Sequence, residues 1–276
     1  MANPLLNEKS INAAAGRDES RAGWGAPSGT TGTWAPPIND GPVSTWHGGL
    51  ATVKGTASAT LTLLLLLIAS ATVAWFSIAA PAADGTVKLP TGWLIGGVVV
   101  GLISVLVATA KPHTARIAAP VYAIAEGVVV GAISRAFETA YNGIVLQAVG
   151  ATLGVFAVML LMYRSGVIRA TDRFKRIVMG AMMGLMAFYL VSFLIGIFGS
   201  MPSFINSSSG LGIVFSLFVA GLAAMNLVID FDMIERIERE KMPAHMEWFG
   251  ALGITVTLVW LYLEILRLLA KLQDRR

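Results

Sequence analysis

Two acids set into apolar helical stretches carry the chemistry open to this sequence. Asp230 lies in AMNLVIDFDMIE, about eighteen residues into an apolar run that starts near Gly212, and Glu264 lies in LYLEILRLL, with apolar residues on both sides over several turns. A charged side chain at the centre of a bilayer costs about 3 kcal/mol or more, so an ionisable residue there marks a functional site by default. Asn226 stands one turn before Asp230 on the same helix face, because residues four apart are neighbours and residues two apart are not. Asp232 therefore points elsewhere. The four-residue spacing offers Arg236 to Asp232 and Arg239 to Glu235, and Arg267, three residues after Glu264, can neutralise that acid. A third acid, Glu126, precedes Gly127 in YAIAEGVVVGAIS and could serve as a buried hydrogen-bonding group or as a second functional acid.

Carboxylates are hard oxygen ligands suited to calcium, and two of them in a low-dielectric site resist double ionisation and share a proton. Paired acids on consecutive helices thus point to proton sensing or cation handling. The reading expects Asp230 and Glu264 to approach each other and titrate together. Chain geometry opposes it. If the connection centres near Met242, Asp230 is twelve residues before it and Glu264 twenty-two after. For uninterrupted helices, at about 1.5 Å per residue, the offset along the axis is roughly 15 Å. Contact requires part of residues 241–253 to be non-helical or folded back.

Composition bounds the other classes. Of 276 residues, 55% are hydrophobic and only 13% charged, against about 25% charged in soluble domains; the mean hydropathy is +0.71. The expectation is an all-α membrane protein. Without cysteine there is no disulfide, iron–sulfur or thiol chemistry, and His47, His113 and His245 are too scattered for a zinc site. The His-Glu-x-x-His motif, the Gly-x-Ser-x-Gly elbow and the phosphate-binding P-loop are all missing. Paired acids are also a feature of intramembrane aspartyl proteases, but the second acid here is Glu and lacks a Gly-x-Gly-Asp context. The protein is therefore expected not to be an enzyme and to use no cofactor, with calcium as a transported or bound ion. The net charge of +4 comes from connections and ends, with no Lys/Arg stripe interleaved with aromatics, so nucleic acid is not an expected partner.

Seven apolar stretches must position these residues: 57–78, 94–110, 117–134, 144–162, 174–197, 212–234 and 248–269. About twenty apolar residues cross a bilayer core. Before them, residues 1–56 are rich in Gly, Ala, Pro, Ser and Thr, a composition that buries too little apolar surface to offset ordering entropy. The expected organisation is a disordered tail over 1–56 and a transmembrane domain over 57–276. Trp24, Trp34 and Trp46 could anchor a partner protein on the tail. No cleavable signal peptide is expected, because the first fifty or so residues are polar.

Positive charge sets the expected orientation. Lys111 and Arg116, then Arg164, Arg169, Arg173, Lys175 and Arg176, then Arg236, Arg239 and Lys241 fall in alternate connections, so those and the N-terminus face the cytoplasm. The C-terminus opposes this pattern: seven full spans place it outside, yet it carries Arg267, Lys271, Arg275 and Arg276. Either the last helix is forced across or it does not fully span. Glycine pairs four apart, at Gly97 and Gly101, Gly127 and Gly131, and Gly180 and Gly184, suit close helix contact in a bundle.

Three phrases carry a resemblance: YAIAEGVVVGAIS (122–134), IDFDMIE (229–235) and LYLEILRLL (261–269). In this order they resemble the third helix, the acidic end of the sixth and the last helix of the transmembrane Bax inhibitor motif family, in its bacterial branch. The resemblance runs from about residue 57 onward and leaves the tail uncovered. It implies seven helices with the last one central, in a bacterial inner membrane. It also implies a pH-sensitive calcium leak controlled by two facing acids, here Asp230 and Glu264, with Glu in place of the usual Asp at 264. The alternative it carries is a non-transporting regulator that binds a membrane protease or other membrane protein.

Overall fold

The computed structural model describes residues 49–78, 91–198 and 208–275. Seven long helices dominate them: α1 (Val53–Ser77), α2 (Thr91–Ala110), α3 (Ala115–Ala140), α4 (Ile144–Arg164), α5 (Asp172–Phe198), α6 (Gly210–Arg239) and α7 (His245–Gln273), with a single 3-10 turn, Pro112–Thr114, between α2 and α3. All seven are long and apolar enough to cross a membrane, and each begins at or a few residues before its expected start. The protein is a multi-pass, all-helical membrane protein.

α7 is the central helix. It packs against α1, α3, α4 and α6, and 72% of its most apolar stretch is buried, against 11% for α5. Its buried face, which includes Ala251, Leu258, Leu261 and Leu266, forms one core with Leu63 of α1, Ala119 of α3, Ala148 of α4 and Leu227 of α6. α5 rests on α6 through a separate cluster of Val178, Leu185, Val219 and Leu222.

Glycine permits the closest crossings. A Cβ on Gly131 would stand 2.3 Å from the Ala71 carbonyl oxygen of α1, and one on Gly97 would stand 2.9 Å from the Ala125 carbonyl oxygen of α3. These two pairs bring backbones together as expected of small residues in apolar helices. Gly180 and Gly184 do not: nothing lies within 4 Å of a Cβ at either, because α5 has no helix on that face.

The chain closes on itself at both ends of the bundle. At the basic end, the described residues take in the last part of the expected tail over 1–56. Most of it lies outside the described residues, but residues 49–52 are docked on the α6–α7 connection. The Ala51 amide donates to the Met242 carbonyl at 2.8 Å, and the Ala244 amide donates to the Gly49 carbonyl at 2.9 Å. α1 then starts at Val53 because Thr52 caps it, its hydroxyl accepting from the Gly55 amide at 2.9 Å. At the opposite end, Asp274 accepts hydrogen bonds from Tyr141, between α3 and α4, and from Ser208, before α6. α7 is thus one uninterrupted helix that crosses the whole bundle. Its cationic last turn lies at the end opposite the basic connections.

Candidate functional site

α6 supplies Asp230 and Asn226, and α7 supplies the group that joins them. Asp230 is only 7% exposed. The Thr257 hydroxyl donates to its Oδ2 at 2.6 Å, and the Asn226 side-chain amide donates to Thr257 Oγ1 at 2.9 Å. The other Asp230 oxygen faces Gly253, where a Cβ would stand 3.6 Å away. The result is a directed chain, amide to hydroxyl to carboxylate, across the α6–α7 contact. Asn226 and Asp230 share a helix face as their spacing requires. Sequence reasoning missed Thr257; its trace was a pair of hydroxyls, Thr255 and Thr257, in an otherwise apolar helical stretch.

Glu264 stands elsewhere. It is 4% exposed, and one of its oxygens accepts from Arg267 Nη1 at 2.8 Å while Oε2 is buried with no hydrogen-bond partner. The expected neutralisation by Arg267 is present. The expected approach to Asp230 is not. Asp230 lies level with Gly253 and Thr257, and Glu264 is seven residues beyond Thr257, about 10 Å further along the axis. No break in residues 245–273 folds the helix back, so the offset of uninterrupted helices persists. About two turns past Glu264, buried Lys271 donates to the Gly212 carbonyl at 3.1 Å and to Ser216 at 2.8 Å, both in the first turns of α6. Its buried placement was hidden among the terminal charges.

The acids after Asp230 find partners across helices rather than along their own. Asp232 pairs with Lys175 of α5 at 2.5 Å, not with Arg236. Glu235 accepts from Tyr163 of α4 at 2.8 Å, not from Arg239, and Arg236 pairs with Glu240 at 2.6 Å. The four-residue rule describes an isolated helix, and tertiary neighbours overrode it. Asp232 and Glu235 line an open pocket of about 460 Å³ at the basic end, together with Arg164 and Arg169. Glu126 is half-buried between α2 and α3, its carboxylate against Gly101, and does not join Asp230.

One more acid escaped notice. Glu247, in the first turn of α7, is 4% exposed and accepts from the Thr52 amide at 2.8 Å and the Thr52 hydroxyl at 3.1 Å, while Glu238 accepts from the Val53 amide at 3.1 Å. Two carboxylates from the α6–α7 hairpin therefore sit on the positive N-terminal end of α1, where helix dipole and free amides favour anions. A Cβ on Gly55 would stand 2.0 Å from the Glu247 carboxylate, so glycine there makes room for the cap. Among the described residues, no cluster of three or more His, Cys, Asp or Glu side chains could hold a metal ion by itself.

A bundle of seven spans around a buried last helix, with an acid held at its contact with the sixth, defines a polytopic membrane protein with an intramembrane carboxyl site. Residues 3–274 match the family model described as Bax inhibitor 1 like. The chain belongs to that family, and the match reaches through the tail that the three quoted phrases left uncovered. No curated protein and no solved structure matches the chain.

Proposed function

We propose that the protein is a proton-sensitive leak for cations, calcium first among them, in which protonation of Asp230 sets the conducting state. The observation that carries this is the company Asp230 keeps: a buried carboxyl whose hydrogen-bond partners are a hydroxyl and, through it, an amide. Such dipoles hold either protonation state without a fixed counter-charge. A group paired with arginine has no such freedom. Oxygen donors also suit a hard cation, and the pocket beside Asp232 and Glu235 gives ions a polar approach at the basic end. On this reading that end is cytoplasmic, the membrane is the bacterial inner membrane, the protein is not an enzyme, and Glu264 supports the bundle without sharing a proton with Asp230.

The test is calcium flux into proteoliposomes containing only this protein, followed against pH. The wild type should conduct with a pH-dependent rate, and Asp230→Asn, which keeps a hydrogen bond to Thr257, should flatten that dependence. An unchanged pH profile in Asp230→Asn would sink the assignment.

The docking of residues 49–52 favours a second reading, a regulator without transport activity. It attaches the tail directly to the hairpin that bears Asp230, so a membrane protein bound to Trp24 or Trp34 would act on the same helices. Absence of flux, together with a partner lost on deleting residues 1–48, would select it.

A further inference from the structure

A groove of about 510 Å³ runs along the half of the bundle distant from the basic connections, between α1 and α4, with α3 and α7 as its floor. That volume falls in the range of ligand sites. Its lining is mostly apolar, and the hydroxyl groups in it are satisfied internally. Ser134 and Tyr262 bond to each other at 2.6 Å, Thr152 donates to the Ala148 carbonyl at 2.7 Å, and Thr72 donates to the Ile68 carbonyl at 2.7 Å. The wall therefore suits hydrocarbon and offers nothing to a sugar or a nucleotide. Ile68, Phe76 and Leu153 on its rim are more than half exposed, and all three lie on spanning helices. The groove opens sideways toward the bilayer, so its occupant comes from the bilayer and not from water.

One charge stands at the end of this groove. Arg135, next to the lining residue Ser134, lies over the ring of Trp75, 5.3 Å from its centroid, and its Nε is buried with no hydrogen-bond partner. Among the described residues it has no ion pair. Glu138, one turn on, is the nearby acid in the same helix, but both its oxygens accept from backbone amides, of Gly143 at 2.7 Å and Val145 at 3.0 Å. Trp75 lies in the last turn of α1, at the level where aromatic residues meet headgroups. A guanidinium there matches a phosphate with fork geometry.

We infer that this groove binds one membrane phospholipid, an acyl chain along α1 and α4 and the phosphate on Arg135. It is independent of the leak reading. The test is native mass spectrometry of protein extracted from vesicles of phosphatidylglycerol and phosphatidylethanolamine. The wild type should retain one phospholipid. Arg135→Gln should lower the retained fraction about fivefold, the equivalent of about 1 kcal/mol for one basic contact at a membrane surface. Val149→Trp, which fills the groove, should abolish retention. Leu190→Trp, on the exposed face of α5, should leave it unchanged. A wild-type readout needs no variant: a phospholipid with a diazirine on its acyl chain should crosslink to residues 64–76 and 145–153 in preference to α5. Retention equal to wild type in both groove variants, a retained species without phosphate, or crosslinks as dense on α5 as on the groove would each overturn the proposal.

Discussion

The two halves of the α6–α7 pair hold their acids by different means. In the half near the basic connections, Asp230 is held by dipoles, with Thr257 and Asn226 in line and no cation beside it. In the other half, Glu264 is held by charge, with Arg267 bonded to it and Lys271 fixing α7 to the start of α6. Both acids are equally deep in protein. The first arrangement tolerates a change of protonation; the second is stable only while its charges are present, because an unpaired charge in a dry site is costly. Burial alone therefore does not identify a working acid. Its partners do.

The sharpest way to break this contrast is to remove Lys271. Lys271→Met leaves the Gly212 carbonyl and the Ser216 hydroxyl without their donor in a buried site. The variant also removes a cation that acts on the buried Glu264 carboxylate, and unbalancing a buried charge costs more than losing a neutral hydrogen bond, so the loss should exceed that from Thr257→Val or Tyr141→Phe, and thermal unfolding in detergent would read it. The pH profile of flux should survive in whatever fraction folds. A Lys271→Met protein that keeps wild-type stability but loses its pH response would reverse the roles of the two halves.

Thr257→Val probes the other half at nearly constant shape. It removes the hydroxyl that links Asn226 to Asp230, stranding an amide and a carboxylate oxygen, and should cost about 1–3 kcal/mol for each group left unsatisfied. It should also displace the midpoint of the flux–pH curve, which Lys271→Met should not. The pair of substitutions thus separates stability from proton response, and the contrast is lost if both move the same readout.

The sequence made some of this legible and hid the rest for physical reasons. Seven spans follow from hydropathy, since a bilayer imposes a minimum apolar length. The offset between Asp230 and Glu264 follows from helix rise, and it outlasted the expectation that the acids meet. Arg267 was readable because it shares a helix with Glu264. Lys175 and Tyr163 were not, because nothing local says that α5 and α4 flank the end of α6. Thr52 and Glu247 are 195 residues apart, and no local rule joins them. The glycine pairs show the same limit: all three look alike in sequence, yet only those with a helix opposite make close contact.

The smallest expected effect tests how the charge-held half is finished at its outer edge. Tyr141 donates to Asp274 just past the last turn of α7, and Ser208 donates to the other oxygen of the same carboxylate. The negative acceptor holds the Tyr141 proton, so its pKa is raised above the ordinary value near 10, first by that hydrogen bond, then by partial burial and the Asp274 charge. A group whose pKa is raised on folding adds stability while it is protonated. The contribution is therefore complete below about pH 10 and is lost as pH rises through the folded-state value. Tyr141 is largely solvated, so the effect is local fraying and not global unfolding. Tyr141→Phe should increase amide exchange in residues 270–274 at neutral pH and leave α6 near Asp230 unchanged. In the wild type the same fraying should appear only above about pH 10, after correction for intrinsic exchange. Equal exchange in the two proteins at neutral pH would mean that Lys271, not the Asp274 contact, fixes the end of α7.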